Sequence, residues 1–407
     1  MNIEFLNFIA ALAIVIVAAK ASGYISVRLG QPAVLGELLA GIILGPTFLN
    51  MLGTWPMFSE DEHLGELIQL MAEIGVLLLM MLAGLELDLV EMLSSGKAAS
   101  LSGTLGVIVP LLLGFGTALA FGLNQTEALF MGLALSATSV SISAQTLMEL
   151  KVLRTRVGLT LLGAAVFDDI LVILLLSLAS IFAAGGGGDV NSVFITLGRI
   201  VLYLGAAIIA GIYVLPRITT WVDRLPISQG TLAFVLVATL LFGWAAEAIG
   251  GIAAITGAFL VGLFLSRTPQ RHQLEAGVAA IAYGFFVPVF FVSIGLAVDL
   301  RAITGSAWIF AIVITIVAIL SKILGSGGGA RLSGFNWLES LQMGIGMVSR
   351  GEVGLIVAAF ALTGGLLSQE NFSIAIFMVI IATLVTPPML RYSFKSETQS
   401  KPQAVDT

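Results

Sequence analysis

The chain has 407 residues, of which 58% are hydrophobic and 10% are charged, and its net charge at pH 7 is −6. It has no cysteine and only two histidines, His63 and His272, which excludes disulfides, thiolate chemistry and a histidine metal cluster. Apolar runs long enough to cross a bilayer recur from end to end, so the composition predicts a polytopic membrane protein with no nucleic-acid partner.

Gly, Pro and charged residues divide the chain into thirteen predicted membrane spans. The first span lacks the basic region and cleavage site of a signal peptide, so we expect it to be retained. The spans cover residues 4–28, 32–50, 63–86, 98–122, 126–148, 156–183, 192–220, 228–248, 251–266, 274–297, 304–330, 336–364 and 371–391. We therefore predict an all-α membrane domain over residues 1–395, followed by a short cytoplasmic tail, 396–407.

Lys and Arg in the predicted loops and tail fall almost entirely on one side of the membrane, and only Arg301 falls on the other. The cations on the first side are Arg28, Lys97, Lys151, Arg154, Arg156, Arg217, Arg224, Arg267, Arg271, Arg331, Arg391, Lys395 and Lys401. The positive-inside rule then predicts an outside N-terminus and a cytoplasmic C-terminus. We expect the protein in a prokaryotic cytoplasmic (inner) membrane.

Two pairs of similar segments predict an internal repeat. AGLELDL at 83–89 in the third span matches IGLAVDL at 294–300 in the tenth, and AVLGELLAG at 33–41 in the second matches AITGAFLVG at 254–262 in the ninth. Each pair is seven spans apart, and because seven is odd the two copies must have opposite orientations in the membrane. Inverted repeats of this kind are typical of secondary transporters, which bind substrate near the midplane between the repeats.

Asp168 and Asp169 lie side by side near the middle of the sixth span, where a lone charge costs a few kcal/mol. A buried ion pair that only fixes helix packing could explain one of them. Two neighbours point about 100° apart on a helix and therefore need two environments. Carboxylate oxygens are hard ligands for a small cation, and a proton can replace that cation. Competition of cation and proton for one carboxylate is the basis of antiport.

Lys322, in ILSKILGSGGGA at 319–330, is the strongest candidate partner for one of the aspartates. An ion pair in mid-membrane would offset the desolvation of both charges. The alternative is a lysine that extends to the membrane surface, but Lys322 is about ten residues, or about 15 Å, from the predicted cytoplasmic end of its helix. We therefore predict a buried pair.

Two stretches rich in Ser, Thr and Gly also fall at mid-membrane depth: LSATSVSIS at 135–143 and GIGMVSRGEVG at 344–354. These residues are poor in helix interiors, so we predict that both spans are interrupted there and expose half-helix ends to a cavity. Arg350 and Glu352 would lie near those ends and balance them. The alternative for the Ser/Thr stretch is close packing of small residues.

Seven stretches together resemble the cation/proton antiporters of the second large superfamily, which includes bacterial sodium/proton antiporters and the membrane parts of glutathione-gated potassium efflux systems. The glycine-rich stretches are weak signals, but FDDI, a lysine in mid-membrane and RGEV in one chain are specific. In chain order they are GQPAVLGELLAGIILGP at 30–46, LLLMMLAGLELDL at 77–89, SATSVSIS at 136–143, FDDI at 167–170, FFVSIGL at 290–296, Lys322, and SRGEVGL at 349–355.

The resemblance implies a thirteen-helix homodimer with two discontinuous, crossing helices. It also implies a core, about 98–183 and 304–391, that moves like an elevator against a dimerisation or scaffold part, about 4–50 and 192–266. In the efflux systems a nucleotide-binding regulatory domain follows the membrane part. Only 16 residues follow Arg391, so no such domain is expected here.

The resemblance also implies roles for individual residues. The second aspartate of the family's pair binds the cation, a role that passes to Asp169, while Asp168 pairs with Lys322. Thr138 and Ser139 would line the site, and both aspartates are the expected ligands of the transported Na⁺. An Asp-Asp pair is typical of electrogenic sodium exchangers, which predicts exchange of Na⁺, and also Li⁺, for protons without any cofactor.

Other functions remain open at this stage. A K⁺/H⁺ antiporter of the same fold is one alternative, and a sodium-coupled symporter of organic solutes is a more distant one. A channel would need a continuous polar pore, which an inverted repeat does not favour. An intramembrane aspartyl protease needs its two aspartates on separate helices that face one another, so adjacent residues exclude that enzyme.

Overall fold

The computed structural model describes residues 3–29, 31–59, 61, 63–86, 96–183, 191–297, 301, 303, 305 and 307–395. Within these ranges the chain is helical and contains no β-strand. The helices are α1 Ile3–Arg28, α2 Ala33–Leu44, α3 Met51–Thr54, α4 Leu64–Glu86, α5 Gly96–Ala120, α6 Gln125–Ser136, α7 Val140–Glu149, α8 Arg156–Ala183, α9 Asn191–Ile209, α10 Leu215–Asp223, α11 Gly230–Ala245, α12 Ala254–Leu265, α13 Arg271–Ile281, α14 Val287–Leu296, α15 Ala307–Leu332, α16 Trp337–Gly346, α17 Glu352–Thr363 and α18 Gln369–Ser393. Three π-helical turns, Ala210–Val214, Ala246–Gly250 and Ala282–Phe286, follow α9, α11 and α13.

Ten of the described helical segments are long and apolar enough to cross a membrane, which confirms the prediction of an all-helical, multi-pass membrane protein. Two shorter apolar helices, α2 and α12, occupy the predicted second and ninth spans. The twelfth predicted span, 336–364, contains two short helices, α16 and α17, so the count of thirteen spans stays a prediction. The ends of both repeat motifs, 87–89 and 298–300, and the tail 396–407 lie outside the described residues.

The second predicted span is longer than the helix that the structure contains. The prediction ran to residue 50, whereas α2 ends at Leu44. Gly45 has an extended backbone and precedes Pro46, and a residue before proline avoids the helical region. The apolar composition of the residues that follow Gly45 had indicated a longer helix.

The helices pack in two bundles. The first, which we name the aspartate bundle, contains α5–α8 and α15–α18, with α5 packed on α6, α8 and α15, and α15 packed on α16 and α18. The second bundle contains α1, α2, α4 and α9–α14, with α4 packed on α12 and α14, and α2 packed on α1 and α14. The aspartate bundle covers the same parts of the chain as the predicted core.

Both interrupted spans begin at the same local signal, an Asn followed three residues later by a Glu. The Asn124 side chain accepts a hydrogen bond from Glu127 N at 2.9 Å, and this starts α6. The Asn336 side chain accepts from Glu339 N at 2.8 Å, and Glu339 Oε2 accepts from Asn336 N at 2.9 Å, a complete capping box for α16. Each cap fixes where its half-helix begins.

Glycines of the two repeat motifs lie where helices of the second bundle cross most closely. A Cβ at Gly41 of α2 would overlap the backbone carbonyl of Val292 in α14. At the matching position in the other motif, a Cβ at Gly262 of α12 would overlap the carbonyl of Met81 in α4. Only glycine allows these backbone contacts.

Candidate functional site

The fifth predicted span is interrupted at residues 137–139, between α6 and α7. Ala137 and Ser139 both have extended backbones, and all three residues are buried. Ser and Thr hydroxyls compete for backbone hydrogen bonds, which is why this stretch leaves the helix at little cost. The interruption places the C-terminal end of α6 and the N-terminal end of α7 inside the protein.

Residues 347–351, between α16 and α17, form a second interruption that lies directly against the first. Ser139 N donates to Ser349 O at 2.9 Å, and Ser349 Oγ donates to Ser139 O at 2.5 Å. Gly351 also faces Ser139, whose Oγ would be only 2.5 Å from a Cβ added at residue 351. The two interruptions predicted from the sequence are thus present and in contact.

Arg350 provides hydrogen-bond donors for the C-terminal end of α16 at this crossing. Its side chain is fully buried, and its guanidinium donates to the carbonyls of Met347 and Val348 at 3.0 Å and of Ala318 at 3.2 Å. These acceptors include carbonyls that the end of α16 leaves without a helical partner. The Thr383 hydroxyl donates to the carbonyl of Arg350 itself. The arginine therefore fixes the unwound segment from within the bundle.

Asp168 and Lys322 form an ion pair in the interior of the aspartate bundle. Lys322 Nζ lies 2.6 Å from Asp168 Oδ1, and both side chains have no exposed surface. Thr138, in the first interruption, is a buried neighbour of Asp168, and its hydroxyl interacts with the Asp168 carboxylate. The carboxylate therefore contacts both the buried lysine and a residue of the first interruption.

Asp169 lies in a different place, at the boundary between the two bundles. Its side chain is 5% exposed and lines a pocket with α7 and α8 on one side and α4 and α12 on the other. The pocket has a volume of about 10 Å³, which is space for about one water molecule. Its other lining residues are Met80, Val140, Leu162, Ala165, Val166, Ile255, Thr256 and Phe259.

The structure brings most of the predicted site residues together. Asp168, Thr138, Lys322 and Arg350 interact electrostatically within the aspartate bundle. Ser139 contributes its backbone to the crossing, and its hydroxyl lies 3.0 Å from the Ser141 hydroxyl. Glu352 is the first residue of α17, and its side chain lies outside the described part of the structure.

Some site residues were missed by reasoning from the sequence. Thr256, Ile255 and Phe259 of α12 face Asp169 across the pocket, and Met80 of α4 joins them. Three of these residues lie within the AITGAFLVG motif, so the repeat itself could have indicated them. Thr383, which binds the backbone of Arg350, has no sequence signal of its own.

The chain is similar in sequence and in fold to known proteins. The chain is 43% identical over 389 residues to the "Na(+)/H(+)-K(+) antiporter GerN" of Bacillus cereus, covering 95% of this chain and 96% of that protein. It is 35% identical to the "Na(+)/H(+) antiporter" of Enterococcus hirae, covering 96% and 99%. The fold matches the structure of the sodium proton antiporter MjNhaP1 from Methanocaldococcus jannaschii with a TM-score of 0.71 and 19% identity, covering 98% and 99%.

A multi-pass helical protein with buried acids beside two interrupted helices has the architecture of a secondary transporter. The family model described as "Sodium/hydrogen exchanger, transmembrane" matches residues 11–394. The chain therefore belongs to the sodium/hydrogen exchanger family. It is a transporter and not an enzyme.

Proposed function

We propose that this protein is a secondary active antiporter that exchanges a monovalent cation, Na⁺ in the first place and also Li⁺, for protons. The observation that carries this proposal is the position of Asp169 at a small pocket between the two bundles, beside the fully buried ion pair of Asp168 and Lys322. The printed names of the bacterial relatives, which describe Na⁺/H⁺ antiporters, support it.

In the proposed site Asp169 holds either the cation or a proton. Carboxylate, hydroxyl and carbonyl oxygens are the ligands that hard cations prefer. No cluster of three or more acidic or histidine side chains occurs in the part of the chain that the structure describes, so the remaining ligands would be neutral oxygens. Thr256 lines the pocket together with Asp169. Thr138, Ser139 and the peptide carbonyls at the first interruption are the candidates that the sequence predicted. Asp168, the other predicted ligand, would add a second carboxylate oxygen.

The small size of the pocket favours a cation exchanger over a symporter of organic solutes. A volume of about 10 Å³ holds a water-sized ligand, and most of the residues around Asp169 are apolar. An organic solute would need a larger cavity with several convergent polar groups. The structure thus gives no support to the symporter alternative.

The ion pair of Asp168 and Lys322 provides a mechanism for electrogenic exchange. When a cation takes an oxygen of Asp168, Lys322 loses its counter-charge in a fully buried position. An unpaired buried ammonium is unstable, so the lysine would release a proton at this step. With Asp169 also exchanging its proton, more than one proton would then move per cation, and net charge would cross the membrane.

The architecture that we propose is the one that the sequence predicted: thirteen spans in two inverted repeats, with the aspartate bundle as a core that moves like an elevator against the second bundle. The equivalent contacts of Gly41 and Gly262 support the repeat. The Asn-x-x-Glu starts at Asn124 and Asn336, again in spans seven apart, support it independently. The position of Asp169 at the boundary of the bundles supports the moving core, because sliding there would expose the site alternately to each side.

Three further features belong to the proposal. We place the chain in the second cation/proton antiporter superfamily because of FDDI, Lys322 and RGEV. The bacterial relatives support a cytoplasmic membrane location, and the distribution of Lys and Arg supports an outside N-terminus and a cytoplasmic C-terminus. The homodimer remains an implication of the family resemblance.

Proton flux in proteoliposomes of the purified protein tests the function. Addition of Na⁺ should dissipate an imposed pH gradient with saturation kinetics, and choline should have no effect. The rate should depend on the imposed membrane potential if exchange is electrogenic. Flux that does not saturate would indicate a channel, and flux that needs an organic solute would indicate a symporter.

A K⁺/H⁺ antiporter is the second candidate. The printed name of the Bacillus cereus relative includes K⁺ beside Na⁺, and that protein is 43% identical to this chain. The choice depends on oxygen positions to fractions of an ångström. The same proteoliposomes should therefore be assayed with Na⁺, Li⁺ and K⁺ in turn, and a lower KM for K⁺ than for Na⁺ would favour this candidate.

A further inference from the structure

The N-terminus of α2 is capped by a side chain from the other bundle. Pro32 precedes α2 and has no side chain that can cap it. Instead Glu149, the last residue of α7, accepts a hydrogen bond from Ala33 N at 2.7 Å and also interacts with the backbone of Val34. A carboxylate at a helix N-terminus satisfies free N–H groups and complements the helix dipole. The cap therefore links the two bundles.

Neighbouring polar groups hold this carboxylate in place. Gln145 Nε2, one turn earlier on α7, donates to Glu149 Oε1 at 2.8 Å. Lys20 of α1 pairs with the buried Glu37 of α2 at 3.4 Å and attracts Glu149 as well. We name Lys20, Glu37, Gln145 and Glu149 the junction cluster. Lys20 and Glu37 belong to the second bundle, and Gln145 and Glu149 belong to the aspartate bundle.

The helix that carries Glu149 also reaches the candidate cation site. α7 begins at Val140, which lines the pocket of Asp169, and ends at Glu149. Ten residues of helix form a rigid element about 15 Å long. Any displacement of the site with the aspartate bundle must therefore move Glu149 relative to the N-terminus of α2.

We propose that Glu149 is a positioning residue of the transport cycle: its contact with α2 stabilises the access state seen in this structure and must break before the site can face the other side of the membrane. This inference rests on the proposed function. Glu149 does not touch the cation; it acts through α7 on the balance between the two access states.

The chain contains a matched control at the other end of the same span. Glu127, at the start of α6, accepts a hydrogen bond from Ser368 N at 3.3 Å and another from the Asn371 side chain at 3.4 Å. It thus contacts the N-terminus of α18, which Ser368 caps and which is another helix of the aspartate bundle. Because both partners belong to one bundle, this contact should survive the transport cycle unchanged.

The first experiment measures the KM for Na⁺ from each face of the membrane in oriented proteoliposomes. Loss of the contact in Glu149→Ala should change the balance of access states about tenfold, so the two KM values should move in opposite directions. Glu149→Gln keeps an acceptor oxygen without the charge, so its KM values should lie between those of the wild type and those of Glu149→Ala. Glu127→Ala should lower thermal stability slightly and should leave the ratio of the two KM values unchanged.

The second experiment follows the contact directly by hydrogen–deuterium exchange at the N-terminus of α2. Exchange of the wild-type Ala33 and Val34 amides should become faster at saturating Na⁺, and in Glu149→Ala it should be fast with or without Na⁺. A purely structural cap would give protection that Na⁺ does not alter.

The outcomes separate the two proposals. If the wild-type protein exchanges no cation for protons, the proposed function is wrong. If it does exchange them, but the KM values of Glu149→Ala stay at wild-type levels or move together, the role of Glu149 is wrong. Protection at the N-terminus of α2 that is independent of Na⁺ in an active protein also contradicts that role.

Discussion

Two groups of charged side chains lie among the membrane helices, and they differ in what they join. Asp168, Lys322 and Arg350 lie within the aspartate bundle, and none has any exposed surface. The junction cluster connects the two bundles, and the side chain of Lys20 there is 49% exposed. The first group can only be satisfied by protein or by a transported ion, whereas Lys20 in the second can exchange its contact with Glu37 for water.

One fold can thus hold charge in a membrane for two purposes. Desolvated charges that face only one another make a bundle rigid and sensitive to the arrival of an ion. Partly solvated charges at a boundary stabilise one arrangement weakly, because water can replace each partner. We expect substitutions in the first group to have large effects and matched substitutions in the second to have small ones.

The largest effect on transport is expected at Asp169. Asp169→Asn keeps the shape of the side chain but can neither bind a proton nor balance a cation, so exchange in proteoliposomes should fall to background. The melting temperature should fall less than that of Lys322→Gln, because asparagine keeps the shape of the side chain and the ion pair of Asp168 with Lys322 remains. Near-wild-type exchange would contradict the proposed site.

The largest effect on stability is expected at Lys322. Lys322→Gln leaves the buried Asp168 without its ion-pair partner, which should destabilise the protein by about 3 to 5 kcal/mol. Thermal unfolding should show a clear loss, and transport should lose its dependence on membrane potential. If transport by Lys322→Gln stays fully voltage-dependent, the lysine carries no transported charge.

A double-mutant cycle sharpens this prediction. Asp168→Asn in the Lys322→Gln background removes both charges and should restore part of the stability. Asp168→Asn alone should affect transport less severely than Asp169→Asn, because its proposed role is the bond to Lys322. Additive melting temperatures of the two single variants and the double variant would contradict the ion pair.

A smaller effect is expected where the two interruptions touch. A methyl group at Gly351 would lie 2.5 Å from Ser139 Oγ and 2.6 Å from Ser139 Cβ, so Gly351→Ala should cost about 1 to 3 kcal/mol through overpacking. Gly116→Ala in α5, where no atom lies within 4 Å of the added methyl, is the control. The control should melt at or slightly above the wild-type temperature; equal losses in both variants would refute a specific contact at Gly351.

The smallest effect is expected at Lys20, the exposed counterpart of Lys322. The distance between Lys20 Nζ and Glu37 Oε1 is 3.4 Å, and the lysine is half exposed. Lys20→Gln should therefore change stability by no more than about 1 kcal/mol. A loss as large as that of Lys322→Gln would show that the boundary between the bundles is as dry as the interior of the aspartate bundle.

The sequence alone predicted the parts of this structure that depend on local chemistry. Apolar runs predicted the all-helical, multi-pass architecture. Ser, Thr and Gly predicted the interruptions, and charges in mid-membrane predicted the pair of Asp168 and Lys322. These residues could be recognised in the sequence because a buried charge or a weak helix former is costly in lipid and therefore rare.

Features that depend on how distant helices meet were not predictable in this way. The role of Glu149 as a cap for α2 joins residues 116 positions apart, and a glutamate at a predicted helix end looks like any solvated charge. The apolar side of the Asp169 pocket was missed for a similar reason, because Ile255 and Phe259 resemble the other apolar residues of a span.

The central claim is that cation and proton compete for Asp169. The most direct test is proton release when Na⁺ binds to the purified protein in weakly buffered solution. The wild type should release protons in a saturable way, with more than one proton per bound Na⁺ if Lys322 takes part, and Asp169→Asn should bind little Na⁺. Saturable Na⁺ binding without proton release, or wild-type proton release from Asp169→Asn, would contradict the claim.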